Sequence, residues 1–183
     1  MSFDGSALTG VQFRIDKLGR EGEGRVMKAY STFQISLHWL IAAMVVGQWY
    51  TSGAIHRTHN PLVPPSDTDL LLHALHNYGG MTIGAIMLLR LGLRLYHGAY
   101  RPVGSASPME RVAHGLHLLF YAVILLQAAT GFVTSYLWGG AGSVHRALWN
   151  VLLVMIALHV SAALYHLVRG DRVFSRMVPF LKR

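Results

Sequence analysis

A chain of 183 residues that is 52% hydrophobic and only 13% charged, with a mean hydropathy of +0.38, is too apolar for a soluble domain of its size and reads as an integral membrane protein. It has no cysteine, which excludes disulfides, thiolate zinc sites, iron–sulfur clusters and covalently attached haem. Its eleven histidines outnumber its eight carboxylates, so imidazole is the principal group available to ligate a metal or handle protons.

Residues 1–29 are polar and glycine-rich, lack a secretory signal, and read as a partly disordered cytoplasmic extension. The remainder, 30–183, forms the membrane domain. Helix 1 is expected from about Ser36 to Thr51, with His38 and Trp39 in its first turns and Trp49 and Tyr50 as an interfacial belt at its end. A loop broken by Pro61, Pro64 and Pro65 follows, carrying His56, Arg57 and His59. Helix 2 runs from about Leu70 to Leu95, with His73 and His76 near its start and Arg90 and Arg94 at its far end. Its Gly79-Gly80 pair admits a bulky flat group or a neighbouring helix. Helix 3 spans about Arg111 to Leu137 and begins with His114 and His117. A Gly-Gly-Ala-Gly-Ser turn at 139–143 leads into helix 4, about Val144 to Val168, and a basic tail. The expected fold is thus all-α, a four-transmembrane-helix bundle.

Loop charge orients the bundle. Arg14, Lys17, Arg20, Arg25 and Lys28, then Arg90, Arg94, Arg101 and Arg111, then Arg169, Arg172, Arg176, Lys182 and Arg183 fall on one side. Only Arg57 and Arg146 fall on the other. The positive-inside rule therefore places both termini in the cytoplasm. The same distribution accounts for the net charge of +8 through anionic lipid, with no need of nucleic acid.

Helix 4 carries the most informative spacing. His145 and His159 are fourteen residues apart, which places them within about 40° on one face and roughly 21 Å apart along the axis. In this topology His38 shares the inner level with His159, and His76 shares the outer level with His145. Two histidine pairs at two depths are what two bis-imidazole haem b groups require of a four-helix bundle. Arg146 and Arg57 outside, and Arg90, Arg94 and Arg111 inside, are the cations available to propionates, although the positive-inside rule explains the inner three equally well. His73 is assigned to the interface facing the proline loop. His56, His59 and His97 are read as solvated. His114 and His117 are open between bonding propionates, passing protons to a quinone, and sitting at the interface. Trp39, Trp149 and Tyr165 are read as core or interface residues. A histidine-rich metal transporter is the contrasting class, disfavoured because no Asp or Glu occupies a span centre.

Several segments together resemble the bacterial diheme cytochrome b561 family, which is related to the cytochrome b subunits of hydrogenases. They are Tyr30-Ser31 with Gln34 to Leu40, the His76 to Arg90 spacing running into Leu95, the His114/His117 pair, and His145, His159 and His166 ending in Arg176-Met177-Val178-Pro179. The resemblance covers about residues 30 to 180. It implies a multi-pass protein of the bacterial inner membrane with two haem b groups, His38 with His159 and His76 with His145. It further implies electron exchange with ubiquinone, and His166 falls where the family has a histidine near a quinone site. The implied donor is either a small periplasmic molecule, as in superoxide oxidation coupled to quinone reduction, or a periplasmic dehydrogenase or hydrogenase for which the chain is the membrane anchor. The extension and the very short helix 3–4 loop depart from the family pattern.

Overall fold

The structure is a computed structural model that describes residues 32–96 and 108–170. The N-terminal extension, His97, Arg101 and the basic tail from residue 171 lie outside the described residues.

Four long helices follow in order: α1 (Thr32–Thr58), α2 (Asp67–Tyr96), α3 (Pro108–Tyr136) and α4 (Gly142–Val168), with a 3₁₀ turn at Gly139–Ala141 before the last. All four expected helices are present, but α1 runs seven residues past its expected end at Thr51. The reason is local. Hydroxyls in this polar stretch bond back to the preceding turn, Ser52 Oγ to the Trp49 carbonyl at 2.7 Å and Thr58 Oγ1 to that of Ile55 at 3.1 Å. Proline first appears at Pro61, so nothing breaks the helix sooner. His56 is consequently helical rather than a loop residue.

α2 also starts earlier than expected, because Ser66 caps it: its Oγ accepts from the Asp69 N–H at 3.1 Å and donates to Asp69 Oδ2 at 2.9 Å. Asp69 in turn accepts from Arg57 Nε at 2.6 Å, which ties the end of α1 to the start of α2. At the other end of the chain, Gly170 closes α4 at φ +69, a left-handed conformation that favours glycine.

Each helix packs on its neighbours in the chain, α1 on α2, α2 on α3 and α3 on α4, while the backbones of α1 and α4, and of α2 and α4, approach at most at isolated points. α2 and α3 come close where Gly84 meets Ala128; a Cβ at position 84 would lie 2.9 Å from that of Ala128. The core is a middle layer of Ile41, Ile83, Met87, Val123, Ile124, Leu152 and Met155 drawn from all four helices. Outward-facing Val46, Leu88, Leu126, Val154 and Leu158 stay exposed. Because lipid tails are as apolar as leucine, the core layer gains close dispersion contacts rather than removal from water.

Two helical stretches among the described residues, Arg111–Tyr136 and Gly139–Val168, are long and apolar enough to cross a membrane. α1 and α2 are as long, at 27 and 30 residues, but they carry Gln48 and Thr51, and His73, His76, Asn77, Arg90 and Arg94, which dilute their apolar character. Those polar groups are largely the ones that build the site.

Candidate functional site

The fold brings the four candidate ligand histidines together in two pairs. His76 on α2 and His145 on α4 face each other near the α1–α2 connection, ring centres 6.4 Å apart and planes at 77°. Beyond the core layer, His38 on α1 and His159 on α4 stand at 6.3 Å and 65°. Both pairs bridge helices whose backbones do not pack. Two imidazoles bound to opposite sides of one iron, each ligating nitrogen about 2 Å from the metal and about 1.2 Å from its ring centre, have centres about 6.4 Å apart. The observed separations match that value.

The His76–His145 pair is further defined by what holds each ring. Nδ1 of His76 lies 3.2 Å from Thr51 Oγ1. Nδ1 of His145 lies 3.1 Å from the Gln127 carbonyl and 3.3 Å from Thr130 Oγ1. Gly131 leaves room for the ring, since a Cβ there would sit 3.0 Å from His145 Cε1. A carbonyl can only accept, so Nδ1 of His145 carries the proton and Nε2 presents its lone pair. That lone pair now meets Gln127 Nε2 at 3.3 Å, while Gln127 Oε1 is buried with no partner among the described residues. An orphaned buried oxygen beside this imidazole fits a site built for an additional group.

The second pair is bounded differently. Among the described residues neither His38 nor His159 has a hydrogen-bonding partner. Instead, Trp39 stands edge-on to His38 at 5.6 Å, and Phe120 and His117 stand edge-on to His159 at 5.4 and 5.7 Å. Arg90 is half-buried, has no acidic partner among the described residues, and lies within electrostatic reach of His38 and His117. An unpaired cation at this position suits a carboxylate-bearing ligand.

Residues 29–180 match the profile of prokaryotic cytochrome b561. The chain belongs to the prokaryotic cytochrome b561 family. It is accordingly a membrane-integral haem b protein of electron transfer. It is 30% identical over 154 residues to cytochrome b562 of Cereibacter sphaeroides, covering 81% of this chain and 94% of that one. It is also 26% identical over 179 residues to the probable superoxide oxidase CybB of Yersinia pestis, covering 83% and 97%.

Elsewhere in this cytochrome the expected candidates are placed unevenly. Arg146 follows His145 at the loop end, exposed and without an acidic partner among the described residues. Arg57, near the end of α1, is committed to Asp69 instead. His73 does not compete with His76: its Nδ1 is 2.6 Å from Thr58 Oγ1, and its ring lies 5.2 Å from that of His59. The Gly79-Gly80 pair lies against α1, for a Cβ at 79 would come 2.5 Å from Gln48 Nε2. His114 meets Arg94 Nη2 at 3.4 Å, and Arg94 also covers the Tyr121 ring. His166 lies two turns beyond His159, its ring 5.7 Å from that of Tyr165. Trp149 packs against the core. The residues that sequence reasoning missed are Thr51, Gln127 and Thr130, and His117 as a neighbour of His159. A signal for the first group was present, since Gln48-x-x-Thr51 recurs as Gln127-x-x-Thr130.

Proposed function

We propose that residues 30–183 cross the bacterial inner membrane four times with both termini cytoplasmic, hold two haem b groups, and carry electrons from a periplasmic donor to ubiquinone. The two imidazole pairs, 6.3 and 6.4 Å between centres and separated by the core layer, are the observation that carries this reading. His76 and His145 would hold the periplasmic haem, and His38 and His159 the cytoplasmic one. Haem b held by two imidazoles supplies one-electron, outer-sphere chemistry, because no coordination position is left open for oxygen.

The chain's own groups do the rest. Ile83, Met87, Leu152 and Met155 fill the layer between the two levels and exclude water. Arg90 inside and Arg146 outside offer cations to propionates. Reduction of a quinone consumes two electrons and two protons, and His117 and His166 are the protonatable side chains on the inner half that suit that delivery. Superoxide is the donor supported by the relative named as a superoxide oxidase. Two superoxide anions would each lose one electron and leave as oxygen while the quinone takes up both. An anchor role for a periplasmic dehydrogenase is the second reading, and it predicts that the purified chain alone is not reduced by superoxide.

Pyridine haemochrome quantitation of the purified protein tests the core of the proposal. Two haems per chain are expected, falling to one in His145→Ala and one in His159→Ala. Fewer than two in the native chain, or full content after replacing both histidines, overturns it.

A further inference from the structure

The two histidines of the loop-end pair are held by the same local device, used twice. On α1, Thr51 Oγ1 donates to the Gly47 carbonyl at 2.9 Å, lies 3.2 Å from that of Gln48, and meets His76 Nδ1 on α2 at 3.2 Å. On α3, Thr130 Oγ1 donates to the Leu126 carbonyl at 2.8 Å, lies 3.1 Å from that of Gln127, and meets His145 Nδ1 on α4 at 3.3 Å. In both cases a threonine hydroxyl spends its only proton on its own helix, four residues back. Towards the neighbouring imidazole it can therefore only accept. On α3 the carbonyl of Gln127 is a second acceptor for the same ring, 3.1 Å from His145 Nδ1. The glutamine side chains diverge, one packing over Gly79 and the other meeting His145 Nε2, so what repeats is the threonine that bonds back onto its own helix.

We propose that Thr51 and Thr130 are paired positioning residues that fix the Nδ1–H tautomer of His76 and His145 and so depress the reduction potential of the haem between them. The inference rests on reading those two histidines as ligands of one haem. Acceptors on Nδ1–H raise the basicity of the ligating nitrogen, and a more basic imidazole favours the ferric state. His38 and His159 have no such acceptors among the described residues, and Arg90 near them favours the ferrous state. The device thus acts on one of the two haems and leaves the other alone.

Thr51→Val and Thr130→Val remove the hydroxyl at nearly constant shape, and Thr51→Ser and Thr130→Ser keep it. Potentiometry of the full-length purified protein, with the ferric low-spin spectrum recorded alongside, reads each haem separately. Each valine variant is expected to raise the midpoint of one component only, the lower one. A tenfold loss of ferric preference corresponds to about 59 mV for one electron. Both act on the same component and their shifts add, because His76 and His145 would hold one haem between them; the serine variants return to the native value. A valine variant that loses the haem while its serine counterpart keeps it at the native potential also supports the role. Unshifted midpoints in both valine variants, shifts on different components, or serine variants that behave like valine overturn it. A native protein with a single haem component refutes the diheme reading itself, whereas two components that do not move refute only the threonines.

Discussion

Gly131→Ala is the sharpest test of the His145 site, because the structure supplies both the perturbation and its control. A methyl at 131 would sit 3.0 Å from His145 Cε1 and 3.4 Å from Nδ1, whereas carbon contacts settle at about 3.5 Å or more. The ring must retreat by about 0.5 Å. Its Nδ1 partners, already at 3.1 and 3.3 Å, would then stand at or beyond the limit of a hydrogen bond. Loss of such supporting bonds typically costs 10- to 100-fold in metal affinity, about 1.4 to 2.7 kcal/mol. The helix itself gains about 1 kcal/mol from replacing glycine by alanine, so the chain should remain folded. Gly115→Ala, on the same helix with nothing within 4 Å of its new methyl, carries the same gain without the clash. The assay is haem retained per chain when each purified variant is challenged with a haem-scavenging apoprotein. Gly131→Ala should surrender one haem 10- to 100-fold more readily, and Gly115→Ala should match the native protein. Equal retention by the two variants refutes the argument that the seat of His145 depends on the missing side chain.

Two further outcomes concern the scaffold. Gly84→Ala forces the α2 and α3 backbones apart at Ala128, and should leave the protein about 1 to 3 kcal/mol less stable than Gly92→Ala, whose methyl meets nothing within 4 Å. Helicity during unfolding in mixed detergent measures the difference, and adding Ala128→Gly to Gly84→Ala should shrink it. At the head of α2, hydrogen bonds from Arg57 and Ser66 hold the Asp69 carboxyl below the usual carboxylate range. A depressed folded-state value stabilises above the unfolded pKa, about 3.9, and the benefit disappears as pH falls through the folded value. Thermal unfolding between about pH 2 and 6 should show that acid-side loss in the native chain and a flatter profile in Asp69→Asn.

The parts of this architecture that sequence exposes are those written in one helix. The fourteen-residue interval between His145 and His159 sits on a single face whatever its surroundings, and the apolar runs around them require helices. The polar end of α1 was harder to read, because Ser52, Gly53, His56 and Thr58 are equally at home in a loop. Their helical state depends on hydroxyls bonding back to the preceding turn and on the Arg57–Asp69 link to α2. The approach of His117 to His159 depends on how far α3 slides along α4, a quantity set by packing rather than by either helix alone. Thr51 and Thr130 are inconspicuous as helix residues, and their meaning emerges only once His76 and His145 are known to lie across from them.

A bundle in which each helix packs on its chain neighbours, and the first and last barely touch, is topologically a folded strip rather than a closed ring. Such a strip can be laid down hairpin by hairpin as the chain is inserted, every contact forming between segments already adjacent. Across the strip, α4 meets α1 and α2 through paired imidazoles, His159 with His38 and His145 with His76, on either side of the shared core layer. The contacts that span the strip join residues far apart in sequence, so they can form only once the last helix is in place.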